Sequence, residues 1–229
     1  MIFIFLSMIL VFDLDDTLYS ERLFVVSGFS AVAKMLADLY GWDKSATLSE
    51  MLCILADKGR GAVFNELLNK RQLQSGRLVR RCLQTYRQHK PNIALDPEAK
   101  AFLESKAGNS IYLVTDGNKI VQANKIRALG IEKYFKKVFI THRYGTHRAK
   151  PSVYCFDLIR KLERCSWNEM AYIGDNPVKD FVNLTPLGVL TIRVMTGEYS
   201  KVNVPPGYDA KFNIPSIGHL QSKLDEIAV

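Results

Sequence analysis

Residues 11–18 read VFDLDDTL, with three aspartates in four positions at the end of an apolar run. Crowded carboxylates repel one another, and each loses hydration when it is covered. Such a cluster at the end of a buried strand needs a partner of opposite charge. Later stretches supply related groups at similar places. SIYLVTDG ends an apolar run at Thr115, Asp116 and Gly117, a loop carries Lys150 and Pro151, and MAYIGDN ends at Gly174, Asp175 and Asn176, with Asp180 close behind. Carboxylates converging on one point, with no Cys or His among them, suit a hard cation. Mg²⁺ takes one or two carboxylates and keeps water and substrate phosphate as its other ligands. A lysine adds positive charge beside a nucleophile, and a threonine hydroxyl with backbone N–H groups can hold phosphate oxygens. Together these parts suit phosphoryl transfer, which depends on positioning and charge neutralisation.

These residues can meet only if the runs before them are neighbouring strands. From Asp96 onward, strand and helix patterns alternate. Helices are expected over 97–107, 118–129, 151–162, 178–184 and near 216–227, and strands at SIYLVTDG, KKVFITH, MAYIGDN and VLTIRV. The alternation predicts an α/β fold: a Rossmann-like parallel sheet with helices on both faces and right-handed crossovers. Residues after Leu18 change to helical spacing, with Gly41 as a stop and further helices near 47–57, 61–72 and 76–89. KPNIALDP, with its two prolines, ends that block. The expected organisation is a catalytic core of residues 1–19 and 92–229 and an inserted all-helical cap of residues 20–91. An insert placed directly after the first strand is expected over the carboxyl end of the sheet, where open α/β sheets bind ligands.

DLDDTL, TDG, KPS and GDNPVKD, in that order, resemble the four motifs of the haloacid dehalogenase superfamily of hydrolases, and the resemblance covers nearly the whole chain. The helical insert resembles that superfamily's cap of the first type. The resemblance implies a Mg²⁺-dependent phosphatase acting on a small phosphate monoester through an aspartyl-phosphate. Asp13 would be the nucleophile. Asp15 would protonate the leaving oxygen and then deprotonate the attacking water. Thr115 and the backbone near Asp116 and Gly117 would bind the phosphoryl group, and Lys150 would steady the charge on Asp13 and phosphate. Asp13, Asp175 and the backbone carbonyl of Asp15 would hold the metal. Thr17 would stabilise the turn, and Asp180 would orient Lys150 or a metal-bound water. Asn118 and Asn176 are supporting candidates for substrate or metal-water contact, although Asn is also commonplace at a helix start. Asp16 is expected to be a turn or capping acid. Dehalogenase members lack an acid two residues after the nucleophile, so Asp15 favours a phosphatase.

Composition bounds the remaining choices. The chain has 229 residues and a net charge of +8, and residues 57–90 carry nine Lys and Arg against Asp57 and Glu66. A basic helical surface is usually a solvated face, and no RNA-binding motif accompanies it, so a nucleic-acid partner is not expected. A small phosphorylated metabolite is. Within that class a sugar phosphate is preferred over a nucleotide, acidic-sugar monophosphates fit the positive insert, and Arg22 is the specificity candidate. The alternatives are a phosphomutase or phosphotransferase of the same superfamily, or a non-catalytic anion-binding module. Cys53, Cys82, Cys155 and Cys165 form no CxxC pair, which suits reduced thiols and a cytoplasmic protein. The opening MIFIFLSMILVF is too short to span a bilayer and lacks signal-peptide features, so it reads as a buried strand and no membrane association is expected. Met8 is an alternative start, because MILVFDLDD is a complete strand-and-turn unit by itself.

Overall fold

A computed structural model describes residues 8–106 and 108–228. The first seven residues of the expected opening strand, and with them the question of the start, lie outside it, as does Ala107 at the end of one expected helix. The strands are β1 (Ile9–Phe12), β2 (Ile111–Thr115), β3 (Lys137–Ile140), β4 (Met170–Gly174), β5 (Leu190–Val194) and β6 (Phe212–Ile214). They form one sheet in the order β3-β2-β1-β4-β5-β6. Every pairing is parallel, with Phe12 registered to Leu113 on one side and Ile173 on the other. The four residues of β1, ILVF, are all buried, as a strand covered on both faces requires. Chain order runs outward from β1 in one direction and then, from β4, in the other. The crevice at the carboxyl end of β1 therefore lies at a topological switch point.

Alternate residues of each strand serve opposite faces. Val11, Val114, Phe139 and Tyr172 pack with Phe156 and Ile159 of α7 (Tyr154–Glu163). On the other face Phe12 meets Phe102 of α5 (Pro97–Ser105) edge-on at 5.9 Å between ring centres. Asp96 caps α5 by accepting from Glu98 N and Ala99 N. Asn118 caps α6 (Lys119–Leu129), and Gly130 ends it in the left-handed conformation. The final helix, α8, spans Leu220–Ala228.

The chain divides into two compact units, one of residues 8–21 with 94–228 and one of residues 22–93. The second is helical: α1 (Glu21–Tyr40, which begins one residue earlier), α2 (Lys44–Lys58), α3 (Val63–Lys70) and α4 (Gly76–Gln88). Phe24, Phe29, Phe64 and Tyr86 form its aromatic centre. Asp43 and Ser75 cap α2 and α4. By length and composition alone α1 could cross a membrane. It buries Phe24, Val25, Phe29, Val32, Ala33 and Leu36, as the core helix of a globular unit does. Part of the basic charge is paired, with Lys58 on Glu66 at 2.8 Å and Arg71 on Glu50 at 3.0 Å.

Three local expectations fail. Residues 178–184 form turns instead of a helix. The Asp180 carboxylate is drawn inward to accept from Asn176 N, which closes one turn, and a separate turn starts at Phe181. The helix expected from Pro151 starts at Tyr154, because Ser152 N bonds back to Ala149 O and closes a turn around the proline. The short strand β6 was missed, since its three residues carry one fully buried side chain and no clear alternation.

Candidate active site

Asp13 follows the last residue of β1, and its N–H donates to Ile173 O at 2.8 Å, which extends the ladder to the edge of the sheet. Its carboxylate is buried beside Lys150, with Nζ to Oδ1 at 2.9 Å. Lys150 Nζ also reaches Asp180 Oδ1 at 2.7 Å and donates to the Tyr172 hydroxyl at 2.8 Å. An ammonium has three N–H donors, so all three are occupied. Tyr172 in turn donates to Asp180 Oδ1 at 3.2 Å, and Asp180 Oδ2 accepts from Asn176 N at 3.0 Å. Burial opposes the charge on Lys150, but Asp13 and Asp180 hold its pKa well above the usual lysine value.

The second feature is an excess of negative charge. Carboxylate oxygens of Asp13, Asp175 and Asp180 lie within 4.8 Å of one another, all buried, and the Lys150 ammonium pairs with Asp13 and Asp180. Burial pushes Asp13 up to about 6, against the pull of Lys150. Burial, with Asp13 and Asp180 nearby, pushes Asp175 up to about 9. An additional cation would relieve this excess, and an all-oxygen donor set suits a hard divalent ion. Asp180 already accepts from Lys150, Tyr172 and Asn176 N, so among the described residues Asp13 and Asp175 have more acceptor sites to offer.

The TDG turn faces the same edge. Thr115 is the last residue of β2, and its Oγ1 is buried with no hydrogen-bond partner among the described residues. A buried hydroxyl without a partner is costly unless a ligand supplies one. The Asp116 side chain is used differently. It accepts from Thr141 Oγ1 at 2.5 Å and from Lys150 N at 3.1 Å through both oxygens, and lies 3.5 Å from Lys179 Nζ. Burial works against its charge, but Lys150, Lys179 and these hydrogen bonds hold its pKa below the ordinary carboxylate value. Asp116 thus anchors the backbone that carries Lys150, and only its main chain is left for an anion. Gly117 sits at φ 130°, where a Cβ would also approach Gln122 Nε2 to 3.0 Å.

Asp15 stands apart from the lysine cluster. Its Oδ1 accepts from the Tyr19 hydroxyl at 2.5 Å and from Lys125 Nζ at 2.6 Å, and its Oδ2 accepts from Gln122 Nε2 at 2.9 Å. Asp16, at φ 51°, accepts Glu21 N at the start of α1, which is capping work. Thr17 is buried, with no partner for Oγ1 among the described residues. Asn118 accepts Ile120 N and Val121 N as a helix cap, and Asn176 accepts Val178 N, so both side-chain oxygens have local bonds. Arg22 is exposed on α1 in the helical unit.

The residues that sequence reasoning missed are Tyr19, Gln122, Lys125, Tyr172 and Lys179. Gln122 and Lys125 left one signal: two polar residues three apart on one helix face, both buried. Tyr172 left another, since it alternates with Met170 and Gly174 on one face of an apolar strand and so carries its hydroxyl inside.

Comparison with known proteins adds to this geometry. The sequence profile of the haloacid dehalogenase-like hydrolases matches residues 8–181. The glyceraldehyde 3-phosphate phosphatase of Methanocaldococcus jannaschii is 29% identical over 226 residues, covering 94% of this chain and 95% of that protein. The phosphoserine phosphatase of Thermus thermophilus is 26% identical, covering 82% of this chain and 89% of that protein. Among solved structures, the magnesium-bound HAD-hydrolase YfnB of Bacillus subtilis superposes with a TM-score of 0.67 at 16% identity, over 96% of this chain and 99% of that one.

Proposed function

The chain belongs to the haloacid dehalogenase-like hydrolases, and from that membership we propose that it is a magnesium-dependent phosphatase that hydrolyses the phosphate monoester of a small metabolite, with a phosphorylated sugar as the preferred substrate. The observation that carries this reading is the pair of aspartates at the switch point. Asp13 is buried against a lysine, and Asp15, two residues on, is oriented by three donors. The first suits a nucleophile and the second a proton carrier. The relatives named for glyceraldehyde 3-phosphate and phosphoserine support a small phosphate ester as substrate.

In this reading Asp13 attacks phosphorus, and the ester P–O bond breaks as Asp15 gives its proton to the leaving oxygen. Water, deprotonated by Asp15, then cleaves the aspartyl-phosphate and releases inorganic phosphate. The unpartnered Thr115 hydroxyl and the backbone N–H groups of the TDG turn receive the phosphoryl oxygens. Lys150, with its donors occupied by Asp13, Asp180 and Tyr172, acts by neutralising and orienting the nucleophile. Held by Asp13, Asp175 and the Asp15 carbonyl, a magnesium ion would screen the charge between the nucleophile and the phosphoryl group. The helical unit is assigned as a cap, Arg22 is the candidate residue for substrate specificity, and the protein works in the cytoplasm.

The test is a panel of phosphate esters, including glyceraldehyde 3-phosphate and phosphoserine, offered to purified protein. Turnover should need Mg²⁺, stop in EDTA and vanish in Asp13→Asn. Inorganic phosphate should appear in stoichiometric yield, whereas transfer to a sugar hydroxyl would indicate a mutase or phosphotransferase. An Asp13→Asn variant of normal activity would defeat the assignment.

A further inference from the structure

We propose that Lys125, on α6, is a positioning residue that sets the Asp15 carboxylate for proton transfer, with Tyr19 and Gln122 as neutral helpers. This rests on the phosphatase reading above, because it gives Asp15 a proton to carry. Lys125 is 2% exposed and Asp15 21%. A buried ammonium needs anionic partners, and those of Lys125 include Asp15 Oδ1 at 2.6 Å and Glu21 Oε1 at 3.3 Å. Glu21 opens α1, so Lys125 ties Asp15 to the point where the chain leaves the catalytic unit.

A count of lone pairs assigns the reacting atom. A carboxylate offers about four acceptor sites. Tyr19 and Lys125 take the two on Oδ1, and Gln122 takes one on Oδ2. Among the described residues one site remains, on Oδ2, and it is the place for the proton. Holding and transfer then use different oxygens. With the proton on Oδ2, Asp15 still accepts from Tyr19 and Lys125 through Oδ1. Gln122 Nε2 also donates to Asp116 O in the TDG turn, so Asp15 is registered against the loop assigned to the phosphoryl group.

The step balances as follows. An Asp13 oxygen forms a bond to phosphorus, and the P–O bond to the leaving group breaks, with its electron pair staying on the leaving oxygen. That oxygen takes the proton from Asp15 Oδ2. In the second half, Asp15 Oδ2 takes a proton from water as the water oxygen bonds to phosphorus. The Asp13–phosphorus bond breaks, and the Asp13 carboxylate and inorganic phosphate are restored. Asp15 is left protonated for the next substrate.

Proton donation matters most for a poor leaving group, and this gives a readout that a merely structural lysine would not move. kcat/KM covers the steps through leaving-group departure. It should be measured in Mg²⁺ for the alkyl phosphate hydrolysed fastest and for 2,4-dinitrophenyl phosphate, whose leaving group needs no proton. Lys125→Met should lower kcat/KM for the alkyl ester roughly 100-fold, at least tenfold more than for the activated ester. Asp15→Asn should show the same selectivity, and larger. Tyr19→Phe, which keeps the charge pair, should show it at roughly 3- to 10-fold, and it decides the matter if Lys125→Met does not fold by circular dichroism. An equal loss on the two esters, or no loss on the alkyl ester, overturns the assignment while the phosphatase reading stands. An unaltered protein that hydrolyses neither ester overturns both.

Discussion

Lys150 shows how little freedom a buried ammonium has. Its three donors meet Asp13, Asp180 and the Tyr172 hydroxyl, and the Asp180 carboxylate is held in turn by Tyr172 and Asn176 N. Each partner fixes the next, so a small deletion should propagate. Tyr172→Phe removes one acceptor from Lys150 and one donor to Asp180. Urea unfolding should show a loss of about 1.5–3 kcal/mol, the worth of hydrogen bonds to charged groups. Lys150→Met leaves the buried carboxylates without their cation, and kcat should fall at least about 100-fold, as when an aligned electrostatic donor is removed. A Lys150→Met protein of unchanged kcat would show that the pairing has no part in the chemistry.

Elements act through their ends and their close contacts. In α1, Gly28 lies under the Tyr86 ring, and a Cβ there would come within 2.5 Å of two ring carbons. Gly28→Ala should therefore destabilise the helical unit by about 1–3 kcal/mol, the cost of overpacking, despite the better helix propensity of alanine. A gain in stability would mean that Tyr86 moves aside freely. At the end of α4, His89 donates from Nδ1 to Tyr86 O at 2.7 Å, and its Nε2 lies 3.1 Å from the Ser27 hydroxyl. Burial lowers its pKa, although the Tyr86 carbonyl opposes this. Between that lowered value and the unfolded value of about 6.5, the unfolded chain binds more protons than the folded one. Stability should then fall as pH drops through that window and level off below it. The urea midpoint at pH 7.5 and pH 5.5 should differ less in His89→Gln than in the unaltered protein; equal differences would clear His89 of the effect.

At the scale of the whole molecule, the parallel sheet brings residues far apart in sequence to one edge. Asp13, Thr115 and Asp175 each stand at or just beyond the carboxyl end of a strand, and β1 lies between the strands that lead to the other two. The net charge of +8 acts on the same site from a distance. A positive protein draws anionic substrates, and salt screens that field over roughly 10 Å at 0.1 M. For a phosphate monoester, kcat/KM should fall as NaCl rises from 20 to 300 mM, with kcat nearly constant. A salt-independent kcat/KM would mean that the charge has no steering role.

Much of this protein was legible without its structure. The apolar runs ending in DLDD, TDG and GDN predicted the strands and the edge at which they meet, because a buried parallel strand must be apolar and its polar end must leave the sheet. Helical periodicity and the two prolines of KPNIALDP marked the insert in the same local way. The turns at 178–184 were misread because a carboxylate from Asp180 turns inward to Lys150, a partner 30 residues away that local spacing does not reveal. The same limit hid the groups around Asp15. Lys125 and Gln122 lie 110 and 107 residues from it in the chain. Spacing reports which face of a helix a residue occupies, but what that face meets is decided by how α6 packs beside the sheet. The amino-acid order alone thus determined which carboxylates and hydroxyl stand at the strand ends, and only the packed structure decided which side chains hold them in place, because burial in three dimensions selects those partners.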